Sequence, residues 1–200
     1  MRNPTWANVA TGVIFVFNSA VHAQVNRHLI VRVFDYVNLS VADRHEMTDT
    51  AERVLRSAGI PIVFVECYTR GAETGVEECI RESGAADVFL RIFHPKMARK
   101  GEQLGHAAMM PEGGAYVTVF INPEQQRARL GGLTNGVFVG YAVAHEIGHL
   151  LLGANSHSSA GIMRPVWRTV DEVWMVKRAL AFDSGESRRM QKTVVARLTR

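Results

Sequence analysis

Residues 134–152 read TNGVFVGYAVAHEIGHLLL. The run is long, almost wholly apolar and followed by Gly153, which suits a buried helix stopping at a glycine. Between positions 136 and 153 its ionisable side chains are the phenol of Tyr141 and the groups of His145, Glu146 and His149. Burying two imidazoles and a carboxylate on such a helix costs on the order of several kcal/mol unless each finds a partner. The four-residue spacing sets His145 and His149 one turn apart on one face, so both can reach a single ion at about 2.1 Å. Glu146 points beside that ion and can take a proton from a water bound there. The expected cofactor is one catalytic Zn2+, with His145 and His149 as ligands and Glu146 as general base.

A catalytic zinc site takes three protein ligands and keeps a fourth position open. His157 can be the third, because Gly153 ends the helix and residues 154–156 leave room for the chain to turn back. The competitor is Glu172, with Asp171 beside it, on the following helix. An acid there also serves as a solvated group at a helix start.

The stretch HEIGHLLLGANSHSSAGIM (145–163) resembles the metzincin zinc peptidases, whose pattern is H-E-x-x-H-x-x-G-x-x-H followed by a Met-turn. Within that clan it is most similar to the matrix metalloproteinase branch, where the third histidine stands in a Ser-His-Ser context and a Leu-Met or Ile-Met pair follows. Here the glycine comes one residue late and the last histidine two, an excess of at most about 7 Å of chain. The resemblance implies His145, His149 and His157 as ligands, Glu146 as base, Gly153 as the helix-ending glycine and Met163 as the methionine beneath the metal. Upstream, LGHAAMMPEGGAYVTVFI (104–121) resembles the edge-strand region of the same branch, where an extended substrate adds to the sheet as a strand. His106 would match a ligand of a second, structural zinc there. No companion ligands are visible, and a strand or rim histidine is the simpler reading.

The rest of the chain is consistent with a mixed sheet. Strands are expected at 29–37 (LIVRVFDYV), 60–66 (IPIVFVE), 88–93 (VFLRIF), 104–109 and 115–121 (AYVTVFI). Ser40 can cap a helix with Met47, Ala51, Val54 and Leu55 at helical spacing, ending at Gly59. Residues 95–103 are basic and irregular, and 111–114 form a turn. Two helices should close the chain, over roughly 170–181 and, with Ser184 as cap, over 185–198. This order argues for an α/β (α+β) domain with a twisted sheet. The resemblance makes it a zincin/metzincin-like catalytic domain with a buried active-site helix and C-terminal helices.

Residues 1–23 have the layout of a secretory signal peptide: Arg2, an apolar stretch at 9–17, and Val21-His22-Ala23 before Gln24. The apolar stretch is too short to span a bilayer. Residues 24–200 are then a single domain, secreted or periplasmic. Cys67 and Cys79 flank a polar loop and can close it as a disulfide, stabilising the fold by roughly 3 kcal/mol. With 47% hydrophobic and 21% charged residues, disorder is excluded as the main state. The net charge of +4 is mild, and its basic C-terminal stretch reads as a solvated helix face. Nucleic acid and stable membrane insertion are therefore not expected. The expected protein is a monomeric, secreted zinc-dependent endopeptidase that binds a peptide or protein substrate as an extended strand along 104–109. The alternatives are a gluzincin-like peptidase with Glu172 as third ligand, or a zinc-binding protein without catalysis.

Overall fold

The computed structural model describes residues 28–69, 71–94, 105–110, 114–121 and 131–199. The leader read in 1–23, the basic stretch 95–103, Leu104 and positions 111–113 of the turn lie outside them.

The protein is mixed α/β. In chain order its described elements are β1 (Leu29–Asp35), α1 (Val41–Ser57), β2 (Ile62–Thr69), β3 (Ala72–Glu73), α2 (Glu77–Ile80), β4 (Asp87–Phe93), β5 (Gly105–Met109), β6 (Ala115–Phe120), α3 (Asn135–Leu152), α4 (Thr169–Val176) and α5 (Ser184–Leu198). The sheet runs β3-β2-β1-β4-β6-β5. Strands β2, β1, β4 and β6 are mutually parallel, while the outer strands β3 and β5 are antiparallel to their neighbours.

Alternation along the strands decides what the sheet buries. Leu29, Val31 and Val33 of β1, Val88, Leu90 and Ile92 of β4, and Val117 and Val119 of β6 share one face and are essentially fully buried. Met47, Ala51, Val54 and Leu55 of α1 join them in one core, as do Val143, Ala144 and Ile147 of α3. The other face carries arginines stacked on aromatic rings, with Arg32 5.1 Å from the Phe89 ring and Arg91 4.5 Å from that of Tyr116. Because α3 lies against β5 and β6, its apolar length is absorbed by the core and its polar turn comes to the edge of the sheet. No described helix is long and apolar enough to cross a membrane.

Several boundaries differ from the sequence-based expectation. β1 stops at Asp35 rather than 37, because the buried Asp35 carboxylate accepts the amides of Val37 and Leu39 at 3.0 and 2.8 Å and turns the chain. β2 starts two residues later and runs three further than expected. Ile60 is spent closing α1, its amide bonded to Leu55 O, and the far end pairs with β3. The polar loop after Cys67 contains β3 and α2, neither of which was expected. The fourth helix ends at Val176 rather than 181. Arg178 adopts φ 55°, and the amides of Ala179 and Leu180 fold back onto Trp174 O. The cap of α5 is Asp183, not Ser184: its carboxylate accepts Glu186 N at 2.7 Å while Glu186 accepts Asp183 N at 2.8 Å. Cys67 and Cys79 lie at disulfide distance, with Cα atoms 5.4 Å apart.

Candidate metal centre

Helix α3 begins at Thr134, whose hydroxyl accepts Val137 N, and ends at Gly153 in a conformation (φ 97°) that favours glycine. Asn155 also adopts positive φ, 60°, a geometry that asparagine tolerates better than most residues. These two left-handed positions reverse the chain and return His157 to the helix. The three imidazoles then meet. Nε2 of His149 lies 3.0 Å from Nε2 of His145 and 3.1 Å from Nε2 of His157. Among the described residues, the ligating group that converges here comprises these three histidines and does not include Glu172. Asp171 instead accepts Arg168 N at 2.8 Å and pairs with Arg164 at 3.3 Å.

Second partners orient the rings. His145 Nδ1 lies 2.7 Å from Ile162 O. A carbonyl only accepts, so Nδ1 carries the proton and Nε2 keeps its lone pair for the cluster. Nδ1 of His149 lies 3.0 Å from Ser156 Oγ. His145 is buried, His149 half-buried and His157 exposed. Burial, followed by the neighbouring His145 and His157 rings, lowers the pKa of His149 to about 4. Burial also lowers that of His145, opposed by the Ile162 carbonyl. Both rings are therefore neutral near pH 7, the form that coordinates metal.

The donor set fits a divalent ion. Two nitrogens about 2.1 Å from one tetrahedral zinc stand roughly 3.4 Å apart, close to the separations seen here. A single ring N–H shared between two facing nitrogens serves each of them poorly, whereas one cation takes up all three lone pairs.

Below the cluster, Met163 is fully buried. A Cβ placed on Gly148 would lie 2.5 Å from its Sδ, so this glycine lets the methionine pack against α3 between the two helical histidines. Met163 O accepts Ser158 N at 3.0 Å, joining the turn to the loop that carries His157. Glu146 is almost wholly buried. Its side chain lies against the backbone of β5, where a Cβ on Gly105 would be 3.0 Å from Glu146 Cδ and 2.1 Å from Thr118 O.

A cleft of about 450 Å3 opens over these groups, lined by Gly105, His106 and Ala107 of β5, by His145, Glu146, His149 and His157, and by the loop residues Ala154, Asn155, Pro165 and Val166. His106 is half-buried on β5, its ring centroid 6.1 Å from that of Phe120. Among the described residues it belongs to no second convergent group of three ligating side chains.

Every site residue expected from the sequence thus falls at or beside the cleft, apart from Glu172 and the cysteines. Not anticipated were Ser156, the Ile162 carbonyl, Trp167 and Gly105. Ser156 and Ile162 sit inside the quoted motif and Gly105 inside the quoted upstream stretch, but the contacts that give these residues and Trp167 their roles follow no spacing rule. No protein-family model matches the sequence, and no curated protein matches it. The functional reading rests on the residues and their arrangement.

Proposed function

We propose that this protein is a zinc-dependent endopeptidase of metzincin type, exported from the cell. The observation that carries the proposal is the meeting of His145, His149 and His157 Nε2 atoms beside a buried glutamate, in a cleft bordered by the outer strand of the sheet. His145, His149 and His157 would hold the ion. When bound, zinc would supply a Lewis acid and an acidified water.

The chain's own groups supply the rest. Glu146 sits next in sequence to the first ligand and faces the same cleft. Its carboxylate accepts the proton of the attacking water and passes it to the leaving amine nitrogen. A purely structural site needs no such base and closes its fourth position, which favours catalysis over a passive role. β5 pairs with β6 along one side and lies at the margin of the sheet, so its other side offers main-chain donors and acceptors to an extended peptide. Gly105 keeps that strand close to Glu146. The Cys67–Cys79 pair supports an oxidising compartment.

The test is metal analysis of the purified protein, combined with digestion of a mixed peptide library with and without chelator. About one zinc per chain and chelator-sensitive cleavage are expected. A protein that binds no zinc, or one that cleaves equally well after chelation, refutes the reading.

A further inference from the structure

Residues 162–167 form a small closed unit between the metal centre and the cleft wall. Ile162 N donates to Ala181 O at 3.1 Å, which anchors its start. The indole Nε1 of Trp167 donates back to Ile162 O at 3.0 Å, which closes it. That same oxygen receives Nδ1–H of His145 at 2.7 Å. A carbonyl oxygen has two lone pairs and can accept both. The indole also meets the imidazole of His145 edge-on, with centroids 5.6 Å apart at 90°, and meets Phe138 of α3 at 5.4 Å and 87°. Within the closed unit lie Met163, packed against Gly148, and Pro165 and Val166, which line the cleft.

Resting on the metal-centre reading above, we propose that Trp167 is a positioning residue for that centre. Its indole N–H pins the Ile162 carbonyl, and the pinned carbonyl holds His145 with Nε2 facing the other two ring nitrogens. Because Pro165 and Val166 belong to the same unit, the bond joins the wall of the cleft to a ligand of the ion. An aromatic ring that only fills space would do none of this, and phenylalanine would replace it without consequence at the metal.

The variant Trp167→Phe keeps an aromatic body and removes the donor. Parent and variant are compared metal-free by urea unfolding, then titrated with Zn2+ and Co2+ against a chromophoric chelator. The expected result is an unchanged unfolding midpoint, metal affinity lower by about tenfold, and displaced visible bands of the Co2+ form. If parent and variant share one affinity and one spectrum, the role assigned to Trp167 is overturned while the metal centre stands. If the parent takes up neither ion, the metal-centre reading falls and this one with it.

Should the variant fail to fold, the unaltered protein supplies the measurement through indole N–H exchange with and without Zn2+. Exchange at Trp167 should slow on metal binding, while that at the exposed Trp174 stays constant. An unchanged rate at Trp167 overturns the proposal.

Discussion

Ser156 Oγ lies 3.0 Å from Nδ1 of His149, and the residue after it, His157, brings its own Nε2 to 3.1 Å from the opposite nitrogen of the same ring. The loop beyond α3 therefore reaches both nitrogens of His149. Replacing Ser156 with Ala should lower zinc affinity by about tenfold and leave the fold intact. Competition titration alongside circular dichroism checks this, and unchanged affinity would remove the serine from the account.

Glu146→Gln keeps the shape of the side chain and abolishes its basicity. Zinc content should stay near that of the parent while peptide hydrolysis falls by about 10²- to 10⁴-fold, the range for loss of a positioned base. Full activity in this variant would show that another group moves the proton.

Gly105→Ala tests the contact between β5 and the glutamate. Its methyl would press on Thr118 O and on Glu146 Cδ, so the strand must shift. Stability should drop by about 1–3 kcal/mol, as in other overpacked sites, and hydrolysis should fall more than metal content. Urea unfolding and metal analysis on one preparation separate the two effects. A silent substitution would mean that β5 stands clear of the base.

Metal-free protein should lose stability on mild acidification. His149 titrates near pH 4 when folded and near its ordinary 6.5 when unfolded, so the unfolded chain binds the proton first. Its contribution is whole above about pH 6.5 and drains away as the pH falls towards about 4. Across that window the unfolding midpoint should fall less steeply with decreasing pH in His149→Ala than in the parent. A parallel dependence would place the acid sensitivity elsewhere.

Removing the disulfide with the double substitution Cys67→Ser and Cys79→Ser should cost about 3 kcal/mol in denaturant unfolding, the loop-closure value for a span of this size. Equal unfolding midpoints would show that the hairpin of β2 and β3 holds itself.

Much of this site is legible in the chain because its chemistry is packed into one helix and the turn after it. Helical periodicity places His145 and His149 without knowledge of the fold, and Gly153 with the residues 154–156 marks the reversal that returns His157. Oily surroundings make Glu146 conspicuous. The supporting contacts are another matter. His145 is oriented by a backbone carbonyl 17 residues away, and Trp167 shares that acceptor, yet neither relationship has a spacing rule. Gly105 matters only because β5 is folded against a helix some forty positions later. The strands were recognisable from β-branched alternation, but their ends were set by local bonds such as those of Asp35. The short β3 and α2 lie between Cys67 and Cys79, in a segment whose polarity reads as a loop.

The graded depth of the three imidazoles gives the centre an inside and an outside. His145 is locked within the core, whereas His157 rides on a surface turn open to solvent. Were the proposed ion bound, its capture and release would be sequential, with the outer arm letting go before the inner pair. How long it stayed would then depend on the loop that carries His157, and where it sat on the buried helix beneath.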